Sequence, residues 1–191
     1  MIRPARFPVL ATARLELRAL AHEDVAQLFD VFSDPEVMRY WSTVPMRSAS
    51  EAEAMVAVSR DQFAAGTGIR WAVCRRDDAR VMGTLSLFHF DEQNDRAEIG
   101  YALGRAFWNR GFMHEALAAL AAFAFGAMDL RRLEADTDPR NAASIRALAR
   151  LGFEREGLLR ERWLVAGEVS DSLLFGLLRR DWAARQSADS E

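Results

Sequence analysis

Residues 112–128 read FMHEALAALAAFAFGAM, and Glu115 is the one formally charged residue among them. Alanine and leucine dominate the stretch, so it favours helix. A helix that is apolar on nearly every side has to be covered on most of them. Its longest charge-free run, from Ala116 to Met128, is too short for the ~20 residues that span a bilayer. The cover must then come from protein.

The start of this helix poses a chemical question. A loop, FWNRG, ends at Gly111, with Arg110 behind the helix and His114 in its first turn. Helix N-termini carry partial positive charge and free N–H groups, so acidic residues are normally favoured there. Here only Glu115 offsets the cations. An anion from elsewhere can complete such a site, as a phosphate does.

The rest of the chain sets the frame. Its 191 residues fit one domain able to bury a substantial core. The net charge of −3, from 25 basic and 28 acidic residues, does not favour nucleic acid or an anionic membrane as the main partner. The lone cysteine, Cys74, excludes an intramolecular disulfide and suits a reducing compartment. The opening MIRPARFPVLATARL is broken by Pro8 and falls short of the ~7–15 apolar residues of a secretory signal. The expected location is the cytoplasm.

Hydrophobic periodicity divides the chain into alternating elements. Strands are predicted over 13–20, 69–76, 80–90, 96–104, 131–138, about 153–166 and 169–179. Helices are predicted after His22, after Ser48 or Ser50, through the apolar stretch, and from Asn141 to a stop at Gly152. There is no repeat and no linker. We expect one α+β domain over 1–183 and a frayed tail over 184–191.

Two clusters carry chemistry. The strand, glycine loop and buried helix between Glu98 and Met128 have the form of an anion cradle. The loop matches neither G-x-G-x-x-G nor G-x-x-x-x-G-K-[ST], so dinucleotide and Walker sites are excluded on their own residues. In the second cluster, DPRNAASIRALARLGF, Asn141 and Ser144 fall on one helix face. Alone, they read as a helix cap and a surface hydroxyl. Cys74 reads as core. His22, His89 and His114 are scattered without metal-ligand spacing, so no metal is expected. His89, on a central strand, could face an acceptor pocket, but a satisfied core or edge histidine is the preferred reading.

Together AEIGYALGRAFWNRGFMHEAL, RLEADTDPRNAASIRALARLGF and EGLLRE resemble the GCN5-related N-acetyltransferase (GNAT) superfamily, in its RimJ/RimL-like branch. The resemblance runs from about Leu15 to Trp182. It implies a mixed, mostly antiparallel central sheet of about 6–7 strands, splayed between the fourth and fifth and flanked by helices. The family's loop pattern, [Q/R]-x-x-G-x-[G/A], falls on Trp108, Asn109, Arg110, Gly111, Phe112 and Met113. Gly111 fits; Trp108 and Met113 depart, though an aromatic at the first position is familiar in this branch. A side chain at Met113 could crowd a pyrophosphate.

By the same resemblance the co-substrate is acetyl-CoA. Its pyrophosphate would lie on N–H groups from Asn109, Arg110, Gly111, Phe112, Met113 and His114. Its pantetheine arm would pair with Tyr101, Ala102 and Leu103, with Asn141 and Ser144 nearby. Acetyl transfer needs a base for the amine and a donor for the thiolate. Glu98 is the base candidate, Asp136 its reserve, and Ser144 the donor; the competing reading pairs Glu98 with an arginine such as Arg96. Tyr40, Trp41 and the Pro45 loop match the acceptor region. The acceptor implied is a protein N-terminal amine, as on a ribosomal protein. Alternatives are a small amine (amino acid, polyamine or aminoglycoside) or a catalytically silent acetyl-CoA-binding module. A homodimer is left open.

Overall fold

The computed structural model describes residues 1–188. Eight strands form one sheet: β1 (Leu10–Ala11), β2 (Leu15–Ala19), β3 (Gly68–Arg75), β4 (Val81–Asp91), β5 (Arg96–Leu103), β6 (Arg132–Thr137), β7 (Glu154–Val165) and β8 (Glu168–Leu178), in the order β1-β2-β3-β4-β5-β6-β8-β7. All neighbours are antiparallel except β5 and β6. The expected count of 6–7 strands rises to eight through β1, whose two residues are too few to leave a periodic signal.

Six helices cover the sheet: α1 (Val25–Phe32), α2 (Pro35–Met38), α3 (Ala49–Ala64), α4 (Phe112–Gly126), α5 (Ala142–Leu151) and α6 (Arg179–Ala188). Strand alternation feeds two cores. Trp71 and Val73 point from β3 into a core shared with α4 and α5, while Ala72 and Cys74 point into a second one under α1 and α3. Burial pushes the Cys74 thiol up to about 11, so it is packing material rather than a nucleophile.

Every residue of α4 from Phe112 to Ala121 is buried or half-buried. The helix packs on β1, β2, β6 and α5, which supply the cover its sequence requires. Leu117 and Leu120 are fully buried there, where truncation to alanine costs about 2–5 kcal/mol.

Local signals end the helices where they should. Ser48 and Glu51 form a capping box at α3, the Asn141 side chain accepts from the Ser144 N–H at α5, and Gly152 stops α5 in the left-handed region at φ 105°. Helix α6 runs through the first part of the stretch read as a frayed tail; 189–191 lie outside the described residues. Trp182 anchors α6, packing 6.3 Å from Phe125.

The feature that positions the site is the single parallel pairing. It lasts three residues, Arg96↔Arg132, Ala97↔Leu133 and Glu98↔Glu134. Beyond Glu98 the two strands diverge, at the place expected for the splay.

Candidate active site

Two cavities meet where β5 and β6 part. One, of about 540 Å³, lies among the end of β5, the loop after it and the starts of α4 and α5. The other, of about 580 Å³, lies among the ends of β4, β5 and β6 and the β7–β8 hairpin. Tyr40, Trp41, Tyr101, Asn141 and Ser144 line both. Pro45 lies in neither lining.

The first cavity is built on the glycine loop. After β5 the chain makes a short 3-10 turn over Arg105–Phe107, and the Trp108 indole N–H donates to the Leu103 carbonyl at 2.5 Å. Asn109 and Gly111 both take left-handed backbone, φ 59° and 78°. This curls the loop onto the helix start, where Glu115 N–H is bonded back to the Gly111 carbonyl. The N–H groups ahead of it face out of the helix end.

Glu115 does not neutralise that end. It is claimed by the turn between β1 and β2: Thr12 Oγ1, the Arg14 N–H and Arg14 Nε donate to it at 2.5, 2.8 and 2.6 Å. Arg14 Nη1 also donates to the Arg110 carbonyl, and its guanidinium lies 4.6 Å from the Phe112 ring centroid. Burial works against ionisation of Glu115, but these bonds outweigh it and hold its carboxyl below the ordinary range.

Three observations fit the loop to an anion. Arg39, Arg140, Arg146 and Arg150 line the cavity with one carboxylate, Glu36; Arg140 is paired with Asp138 and Glu168, and Arg39 with Glu36. His114 Nδ1 is buried with no hydrogen-bond partner among the described residues. A Cβ built on Gly111 would approach Arg14 Nη2 at 3.4 Å, in a backbone conformation side chains rarely adopt. Met113, the suspect for crowding, packs against the main core.

The junction is Tyr101 and Ser144. Their hydroxyls are 2.7 Å apart, and burial pushes the tyrosine up to about 12 against the opposing Ser144 bond. Tyr101 is therefore a neutral donor at physiological pH.

The second cavity has the opposite electrostatics. Glu98, Glu134, Asp136, Asp138 and Glu156 line it against Arg96, Arg132 and Arg162. Arg96 bonds Asp91 and Glu134 rather than Glu98, and Arg132 bonds Glu134 and Glu156. Glu98 instead meets His89, Nδ1 to Oε2 2.9 Å. Burial pushes the Glu98 carboxyl up; the His89 bond opposes this, and the Asp136 and Glu134 charges reinforce it. Asp136 accepts from Ser172 Oγ at 2.7 Å and Trp163 Nε1 at 3.3 Å, both neutral donors.

The structure thus brings Glu98, Asp136, Tyr101, Asn141 and Ser144 to one opening, with Asn109 and 111–114 on one side of it; Arg110 is in neither lining. Sequence reasoning missed Arg14, and at His89 it preferred a satisfied histidine over one facing an acceptor pocket, whereas His89 lines the second cavity. Neither carries a local signal, since Arg14 meets Glu115 across 101 positions and His89 reaches Glu98 only through an irregularity in β4. His22 lies far from this chemistry, opening a 3-10 turn before α1. No group of three or more histidine, cysteine or acidic residues that could hold a metal ion is present among the described residues.

The acetyltransferase (GNAT) domain model matches residues 14–154. This chain belongs to the GNAT acetyltransferases. It is 38% identical over 174 residues to the uncharacterized N-acetyltransferase p20 of Bacillus licheniformis, covering 91% of this chain and 98% of that one. It is 26% identical over 180 residues to the [ribosomal protein uS5]-alanine N-acetyltransferase of Escherichia coli, covering 91% and 92%. Among solved structures its fold is similar to that of Mycobacterium smegmatis RimJ in complex with CoA-disulfide, with a TM-score of 0.86 at 22% identity over 99% of this chain and 98% of that one. As a GNAT enzyme the protein is an N-acetyltransferase, with acetyl-CoA as the family's acetyl donor. No helix among its described residues is long and apolar enough to cross a membrane.

Proposed function

We propose that this enzyme acetylates the N-terminal amine of a protein, in the manner of the RimJ/RimL-like branch. The observation that carries the reading is the change of charge across the junction. The cavity on the glycine-loop side is lined by arginine and suits a phosphate-rich donor; the cavity on the other side is lined by carboxylates and suits an ammonium.

In this reading the loop N–H groups from Asn109 to His114 hold the pyrophosphate, and His114 Nδ1 gains a partner. Tyr101, Ala102 and Leu103 offer backbone groups to the pantetheine arm. Asn141 caps α5 and so fixes Ser144, whose hydroxyl lies against Tyr101. That pair can protonate the departing thiolate. Glu98 takes a proton from the incoming ammonium, which must be neutral before it attacks. Tyr40 and Trp41 border the acceptor path. The acceptor cavity adds aromatic walls from Phe88 and Trp163, and its size accommodates the first residues of an extended peptide.

The test is thiol release from acetyl-CoA with a panel of amines. Peptides beginning with free Ala or Ser, including ribosomal-protein N-termini, are expected to give the highest kcat/KM. A free amino acid, polyamine or aminoglycoside that outpaces every peptide would assign the enzyme to small-molecule acetylation instead.

A further inference from the structure

Proton balance singles out a residue that acetyl transfer does not itself require. An acceptor that arrives as R–NH₃⁺ leaves as an amide carrying one N–H. The N–C bond forms and the C–S bond breaks; one of the two lost protons goes to the thiolate, and the other must reach solvent before the next cycle. If Glu98 takes that second proton, it has to hand it on. The Glu98 side chain is only 25% exposed, and the acceptor occupies the cavity it faces.

His89 lines the same cavity beside Glu98, at its solvent-facing rim. Its side chain is 75% exposed, and Nδ1 lies 2.9 Å from Glu98 Oε2. A deliberate-looking irregularity puts it there. The β4–β5 register shifts between Phe88 and Asp91, and His89 takes φ 48°, a left-handed conformation that is costly for a residue with a Cβ. Regular strand geometry would carry its side chain to another bearing, because successive side chains alternate faces. The Phe88 ring, 4.7 Å away and roughly perpendicular, braces the imidazole.

The geometry points to His89 as the proton outlet of Glu98, a positioning and proton-carrying residue that connects the base to bulk water through its second ring nitrogen. This rests on the reading of Glu98 as the base. Histidine suits the task because its two ring nitrogens let it take a proton on one and release a proton from the other. On β6 Glu134 is committed to Arg96 and Arg132, and Asp136 is held by Ser172 and Trp163. On β5 itself Arg96 is engaged by Asp91 and Glu134, and from β7 Arg162 and the Arg132-bound Glu156 line the same cavity. Of the side chains around Glu98, His89 is the one that is both bonded to it and open to solvent.

The experiment compares His89→Gln, Glu98→Gln and the unaltered enzyme in steady-state acetylation, at several concentrations of imidazole or another small buffer. His89→Gln keeps a polar group beside Glu98 but cannot carry a proton. Its kcat should fall at least about tenfold at low buffer concentration, since positioned proton transfer contributes ~10²–10⁴-fold. Added imidazole should restore the rate, the KM for acetyl-CoA should not move, and the unaltered enzyme should show no buffer dependence. His89→Gln with the normal rate at every buffer concentration overturns the outlet if Glu98→Gln is slow. A His89→Gln loss that imidazole does not restore also overturns it, and marks a purely structural role. A Glu98→Gln enzyme at full rate removes the base assignment itself, and the outlet with it.

Discussion

Arg14→Ala should weaken acetyl-CoA binding while sparing chemistry. The side chain braces the glycine loop at consecutive points: Nε on Glu115, Nη1 on the Arg110 carbonyl, Nη2 beside Gly111 and the guanidinium over Phe112. Truncation removes all four contacts but leaves the backbone N–H of Arg14 on Glu115. Bonds to charged groups contribute about 1.5–3 kcal/mol when well buried. Arg14 is 48% exposed and Glu115 18%, so the ion pair belongs nearer the ~1 kcal/mol of exposed pairs. The ring contact adds about 0.5–1 kcal/mol. The brace therefore supplies roughly 1–2 kcal/mol, equivalent to about 5–30-fold in affinity if it all serves to hold the loop in its binding shape. The assay is paired: calorimetric Kd for acetyl-CoA, and kcat at saturating acetyl-CoA. Kd should rise about tenfold with kcat within about twofold, the pattern of lost uniform binding. A lowered melting temperature with unchanged Kd would refute the reasoning, because the brace would then serve only the fold.

Acetyl-CoA at a hundred times its Kd should stabilise the protein by about 2.7 kcal/mol, read as a rise in melting temperature that CoA reproduces and NAD does not. Gly111→Asp should abolish that rise, since it strains a left-handed position and sets a carboxylate against the phosphates. A folded Gly111→Asp protein with normal affinity would move the phosphate site elsewhere. Tyr101→Phe and Ser144→Ala should both lower kcat, and the double variant should lose little more than the worse single one, as expected of groups that act as a unit. Glu98 makes a stability prediction of unusual sign. Burial raises its carboxyl in the folded state, so its favourable contribution is present below the unfolded pKa and lost as pH rises through the folded one. Glu98→Gln should thus melt higher than the unaltered protein at neutral pH, with the advantage shrinking in acid. Activity runs the other way: kcat/KM falls as pH drops through the raised value, because the base must be ionised.

What was legible in the sequence was what local physics decides. The apolar stretch dictated a covered helix, Ser48 was one of the two caps read for α3, and Asn141 and Gly152 bounded α5. The polar stretch RRDWAARQSA gave no amphipathic pattern, yet it is helical, because tertiary contacts from Trp182 to Phe125 and from Arg185 to the α5 stop hold it in place. Motif spacing marked the two segments that meet at the opening but not their electrostatics. The partners of Glu98 and Glu115 depend on which strands become neighbours and on one irregularity of register. No window of sequence contains that information. The reading of Glu98 against Arg96 fails for this reason: Arg96 faces Glu134 across the parallel pair and is engaged there instead.

That short parallel pair also links fold to chemistry. Its last rung sets Glu98 against Glu134, and like charges on adjacent strands oppose pairing. Glu134 is compensated by Arg96 and Arg132, which hold the ladder together up to that point. Glu98 receives only a histidine, and the next residue of β6 on that face is Asp136, whose charge again disfavours ionisation of Glu98. Negative charge therefore accumulates where the strands separate. Separation exposes backbone N–H and C=O groups of β5 that need other partners. Trp108 takes the Leu103 carbonyl, and Tyr101, Ala102 and Leu103 line the cavity on the glycine-loop side. One local imbalance of charge thus coincides with two properties of the opening: backbone released from strand pairing, and a carboxyl with raised proton affinity.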